Sequence, residues 1–195
     1  MPQQTTTALE ILRGDLMDSI TTKHKVIDTL LPDIEKAAEW MVECLKHGGK
    51  ILFFGNGGSA ADAQHLAAEL VGRFAKERRG LPAIALTTDT SILTAIGNDY
   101  RYELVFARQI EALGNAGDIA VGLTTSGNSP NVVAGIQKAK EKRLRTIGFT
   151  GGTGGKLKEI SDLALVVPSG STPRIQESHI AIGHAICHVI DEEVA

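Results

Sequence analysis

The chain has 195 residues, 43% of them hydrophobic, with a formal net charge of −3 and 4% aromatic residues. That length buries one sizeable core but not two, so a single domain over residues 1–195 is expected. The slightly acidic balance and the scarcity of stacking side chains argue against a nucleic-acid partner and leave room for local small-anion sites.

Residues 1–7 are polar, and no later segment approaches the length of a membrane span. A cytoplasmic protein with no membrane partner is therefore expected. From 7 to 46 the pattern is helical: Leu9, Leu12 and Leu16 recur at helix spacing, and after Pro32 so do Ile34, Ala38, Met41 and Leu45. Two helices divided at Pro32 are expected in an N-terminal extension over 1–47, ended by Gly48-Gly49.

Short apolar runs follow at 51–54, 83–86, 119–123, 146–149 and 163–167, separated by helix-like or turn-rich connections. The alternation predicts an α/β fold: a doubly wound, mostly parallel five-stranded sheet flanked by helices. Its ligand crevice is expected beyond the carboxyl ends of the strands. Cys44 and Cys187 lack CxxC spacing and read as buried free thiols. The charged clusters 76–79 and 138–143 read as solvated faces, with a polar ligand contact as the lesser alternative for 76–79.

Gly55-Asn56-Gly57-Gly58-Ser59 leaves the first predicted strand and opens a helix. Glycines there let the backbone approach a ligand, and free amides at a helix start attract anions. The spacing fits neither the dinucleotide signature nor a P-loop, so a phosphate is favoured over a nucleotide. The alternative is a plain turn with Ser59 as N-cap and Asp62 at the capping-box position. A second polar loop, Thr124-Thr125-Ser126-Gly127-Asn128-Ser129-Pro130, follows the third strand, with Ser129 placed as N-cap and Pro130 as the first helical residue. Hydroxyls and helix-start amides can hold a dianionic phosphate without a lysine, which suits a sugar phosphate. Gly97-Asn98-Asp99 is either ordinary turn chemistry or a contact to sugar hydroxyls.

On the helix after the first loop, His65 and Glu69 lie about one turn apart, with Asp62 close to the same face. Such a pair can bind zinc, divide into a base and its orienting partner, or simply form a surface i, i+4 contact. The last predicted helix, about 174–193, carries Gln176, Glu177, His179, His184 and His188 among apolar residues. By spacing alone His184 and His188 form the better metal pair, whereas Gln176 and His184 are about 12 Å apart along the axis.

The segments Gly55-Asn56-Gly57-Gly58-Ser59-Ala60-Ala61-Asp62-Ala63-Gln64-His65, Glu69, Leu86-Thr87-Thr88-Asp89-Thr90-Ser91, Gly97-Asn98-Asp99, Thr125-Ser126-Gly127-Asn128-Ser129, Arg174-Ile175-Gln176-Glu177 and His184 together resemble the sugar isomerase (SIS) domain family. Within it they resemble the bacterial phosphoheptose, or sedoheptulose 7-phosphate, isomerases, over nearly the whole chain. One departure is Thr172-Pro173, where some relatives place an aspartate.

The resemblance implies a flavodoxin-like SIS fold and isomerisation of D-sedoheptulose 7-phosphate to D-glycero-D-manno-heptose 7-phosphate through an enediolate, the first step of heptose precursor synthesis for surface glycans. It implies one zinc per subunit held by His65, Glu69, Gln176 and His184, with Glu69 and His184 also moving protons. It implies substrate contacts from Asn56, Gly57, Gly58, Glu69, Asn98, Asp99, Thr124, Thr125, Ser126, Ser129 and Gln176, with Ser59 near the phosphate. A homotetramer with sites between subunits is also implied. The alternatives are an isomerase of another sugar phosphate and a non-catalytic SIS-domain regulator that binds a replication initiator. Regulators of that kind lack counterparts of Glu69 and His184, both present here.

Overall fold

Five apolar segments pair into one sheet: Ile51–Gly55 (β1), Ala83–Ala85 (β2), Ile119–Leu123 (β3), Arg145–Gly151 (β4) and Leu163–Val167 (β5). The structure is a computed structural model and describes residues 7–194. The strand order is β2-β1-β3-β4-β5, and every neighbouring pair is parallel. All residues of β1 and β3 are buried, as expected for a parallel sheet covered on both faces.

The helices are Ala8–Lys46 (α1), Gly58–Val71 (α2), Thr90–Asp99 (α3), Val105–Leu113 (α4), Pro130–Glu141 (α5), Gly155–Ile160 (α6) and Thr172–Val194 (α7). On one face α1, α2 and α7 pack Leu45, Leu66 and Ile186 with Ile51, Phe53, Val121 and Phe149. On the other, α4, α5 and α6 pack Phe106, Ile136 and Leu157 with Leu52, Phe54 and Ala120. Alternate residues of β1 and β3 thus feed opposite cores. The order reverses between β1 and β3, where the connections leave for opposite faces and open a crevice at the strand ends. Both polar loops start there.

The two helices expected before residue 47 are one helix of 39 residues that runs through Pro32. A proline inside a helix costs about 3 kcal/mol. Against that, Val26 and Leu30 before it and Ile34, Ala37, Ala38, Met41 and Leu45 after it form one buried stripe. Burial of each large apolar side chain contributes about 1.5–3 kcal/mol, so the stripe outweighs the lost hydrogen bond. At the other end Thr7 Oγ1 accepts from the Glu10 N–H at 3.2 Å while Glu10 Oε2 accepts from the Thr7 N–H at 2.8 Å, a capping box. Leu9, Leu12 and Leu16 are exposed, and among the described residues burial begins at Thr22.

Cys44 and Cys187 are free and buried; burial pushes their thiols up to about 11 and about 12. No helix among the described residues is long and apolar enough to cross a membrane.

Candidate active site

The first loop turns on Gly57, whose φ of +56° favours glycine. Gly57 is therefore the N-cap of α2, not Ser59, which lies inside the helix and is only 3% exposed. Nor does Asp62 close a capping box. Its Oδ2 is buried without a partner, and burial pushes the carboxyl up to about 6 against the lowering influence of His65.

Asn56 ties this loop to the second one. Its Nδ2 donates to Asn131 Oδ1 and its Oδ1 accepts from Asn131 Nδ2, both at 2.8 Å. Asn131 sits in the first turn of α5 and is 4% exposed. Ser129 is the N-cap of α5 and Pro130 its first residue, as expected, yet the Ser129 hydroxyl makes no capping bond. It lies 2.8 Å from Thr124 Oγ1, which is also 3.4 Å from Ser126 Oγ. Three hydroxyls thus converge at a helix N-terminus, whose positive end attracts anions.

The second cluster arises where α2 packs beside α7. Gly183 of α7 lets Leu66 approach so closely that a Cβ there would collide with it. Next to this contact His65 Nε2 lies 2.8 Å from His184 Nε2 and 3.1 Å from Glu69 Oε1. The three donor atoms fall within 4.8 Å of one another. Two Nε2–H groups cannot face each other at hydrogen-bonding distance, so at least one ring presents a lone pair. Two imidazole nitrogens and a carboxylate oxygen form a donor set that suits zinc. His184 therefore pairs with His65, not with His188 as spacing suggested. His188 Nε2 instead lies 3.7 Å from Glu192 Oε1, and Phe74 packs against both rings, 5.6 Å from His184 and 6.1 Å from His188.

The sequence model of the SIS domain family matches residues 17–151. The phosphoheptose isomerase of Aliarcobacter butzleri (strain RM4018) is 60% identical over 174 residues, 89% of this chain and 92% of that protein. This chain belongs to the phosphoheptose isomerases of the SIS domain family. The isomerase is similar in structure to phosphoheptose isomerase GmhA from Neisseria gonorrhoeae, at 47% identity and a TM-score of 0.91, covering 95% of this chain and all of that one. It is also similar to a phosphoheptose isomerase from Francisella tularensis, at 42% identity and a TM-score of 0.93, covering 96% of this chain and 100% of that one.

Other residues singled out from the isomerase sequence fall elsewhere. Asn98 and Asp99 close the last turn of α3 rather than a free turn; both are exposed, with Asn98 Nδ2 donating to Asp99 Oδ1 at 2.9 Å. Gln176 lies in the second turn of α7, and its carboxamide occupies the space that a Cβ on Gly58 would need. Gly58 precedes His65 by seven residues of α2, about 10 Å of axis. Within one chain Gln176 thus joins the first polar loop and stays apart from His65, Glu69 and His184.

Arg78 of the isomerase, expected on a solvated face, has a side chain 2% exposed and is paired with Asp191. Asn131, Phe74 and Asp191 were not singled out from sequence. Only Asp191 left a local signal, as an acid in the last turn of a helix, where the dipole disfavours negative charge.

Proposed function

We propose that this isomerase converts D-sedoheptulose 7-phosphate into D-glycero-D-manno-heptose 7-phosphate, moving the carbonyl from C2 to C1. The observation that carries the reading is the convergence within 4.8 Å of His65 and Glu69, on the helix that begins at the first polar loop, with His184 of α7.

Each group has a role. Gly57, Gly58 and Ser59 at the start of α2, with Thr124, Thr125, Ser126 and Ser129 at the start of α5, bind the phosphate through amides, hydroxyls and helix dipoles. Asn56, Asn98, Asp99 and Gln176 contact the sugar. Glu69 removes a proton from C1, and the electron pair moves into the C1–C2 bond while O2 takes a proton from His184. The proton then returns at C2 as the O1 hydroxyl gives its own to His184 and the C1 carbonyl forms. No proton or electron is gained or lost overall, so no redox cofactor is needed.

The residues that would hold zinc, one per subunit, are His65, Glu69, His184 and a Gln176 from a second copy of the chain. When bound, the metal supplies positive charge where the substrate oxygens become negative. The separation of Gln176 from the other three ligands within one chain supports sites built between subunits, as in a homotetramer. The exposed Leu9, Leu12 and Leu16 on α1 give such an assembly an apolar surface to cover. The reading places the enzyme in the cytoplasm, at the start of heptose precursor synthesis for lipopolysaccharide or a related surface glycan.

The test is NMR of the purified protein with sedoheptulose 7-phosphate, before and after chelation and zinc readdition. Aldose that disappears with chelator and returns with zinc is expected. Product that persists in chelator removes the metal role, and no product from a folded, zinc-loaded protein sinks the reading.

A further inference from the structure

The most buried ion pair near the site involves neither polar loop. Arg78 lies in the connection from α2 to β2 and reaches back with its whole guanidinium. Nη2 donates to the Glu69 carbonyl at 3.0 Å, Nη1 to those of Leu70 at 2.9 Å and Arg79 at 3.1 Å, and Nε to Asp191 Oδ1 at 2.5 Å. Asp191 Oδ2 accepts the backbone N–H groups of Ala75 at 2.7 Å and Lys76 at 2.9 Å. The Arg78 and Asp191 side chains are 2% and 0% exposed.

This arrangement serves the ends of both helices that carry the reactive cluster. The carbonyls of Glu69 and Leu70 belong to the last turn of α2, where the helix supplies no partner, and a cation there meets the negative end of its dipole. Asp191 sits near the negative end of α7, a place that repels a carboxylate unless a cation answers it. Between them the pair closes residues 72–77 into a loop that presses Phe74 against His184. Stability alone is a weak reason for such a pair, since well-packed apolar replacements are often as stable.

We propose that Arg78 and Asp191 are positioning residues of the isomerase site. The pair acts through the Glu69 backbone and Phe74 to hold Glu69 and His65 of α2 against His184 of α7. The inference rests on the roles proposed above for Glu69 and His184.

The experiment compares Asp191→Asn, the double variant Arg78→Met/Asp191→Leu and Glu69→Gln with the wild-type full chain. It reads kcat and KM for sedoheptulose 7-phosphate, Tm, and calorimetric affinity for Zn2+ alone. In Asp191→Asn, kcat and Zn2+ affinity are expected to fall together by about tenfold, the low end of the range for a direct partner of a metal ligand, because Asp191 acts one contact further away. KM is expected to stay nearly unchanged, because the phosphate loops lie at the other end of α2. The double variant is expected to regain Tm but not kcat.

A folded Asp191→Asn protein with wild-type kcat and Zn2+ affinity overturns the proposal, and so does a double variant that regains kcat together with Tm. If Asp191→Asn fails to fold, the double variant decides by the same comparison. If the wild type does not turn over the sugar, the functional reading fails instead; if Glu69→Gln turns over normally, the assignment of Glu69 as base fails. The Zn2+ affinities of the pair variants then decide the positioning role by themselves.

Discussion

The Nε2 atoms of His65 and His184 meet at 2.8 Å across the contact between α2 and α7, although 119 residues separate them in the chain. Glu69 Oε1 stands 3.1 Å from the same His65 nitrogen, so a carboxylate and two imidazoles share one small volume. Such a volume can exchange protons with neighbouring carbons and oxygens of one substrate, as an aldose–ketose isomerase must.

Glu69→Gln keeps the shape of the side chain but cannot accept a proton. Turnover should drop by about 10²–10⁴, the range for a general base, while inhibitor titration shows substrate still bound. Normal turnover in a variant that still binds substrate would end the assignment of Glu69 as base.

Asn131→Leu should raise KM more than it lowers kcat. The Asn56 carboxamide loses both of its 2.8 Å partners, at a stability cost of about 1–3 kcal/mol, and the two polar loops lose their link. The reactive cluster sits on a different helix pair and keeps its geometry. Steady-state kinetics with a wild-type KM would show that Asn56 holds its place without Asn131.

His179 makes stability fall on the acid side. It is 0% exposed, its Nε2–H donates to the Thr150 carbonyl at 3.0 Å, and its Nδ1 has no partner among the described residues. Burial lowers its pKa from 6.5 to about 4. The unfolded chain therefore binds a proton that the folded chain refuses between those values. Its contribution is whole above pH 6.5 and is lost as pH falls toward 4. Thermal melts across that window should show a shallower acid slope for His179→Gln than for wild type; identical slopes would place the acid sensitivity elsewhere.

Pro32→Ala should stabilise the protein by roughly 2 kcal/mol. Restoring a helix interior contributes about 3 kcal/mol, less up to about 1 kcal/mol for the greater freedom of the unfolded chain. Pro32 is exposed, so little packing is lost. Thermal unfolding reads the gain as a rise of several degrees in Tm; no rise would argue that α1 breaks at residue 32.

Much of the site was legible because its signals are local. The polar loops begin where apolar strands end, and Ser129-Pro130 marks a helix start by rules that need no knowledge of the rest of the chain. The alternative with Ser59 as N-cap fails: a serine after glycines looks like a cap until the positive φ at Gly57 is known. Arg78 was misread because charge clusters are usually solvated, and its partners lie on α7 and in the last turn of α2.

By itself the sequence determined the α/β alternation, the five strands, the two polar loops and the family, since apolar periodicity and turn chemistry act over a few residues. Only the tertiary structure decided that α1 continues through Pro32, that His184 meets His65 instead of His188, and that Arg78 turns inward to Asp191. Each depends on which helices lie side by side on the sheet. There, contacts between residues far apart in the chain outweigh the preferences of any single segment.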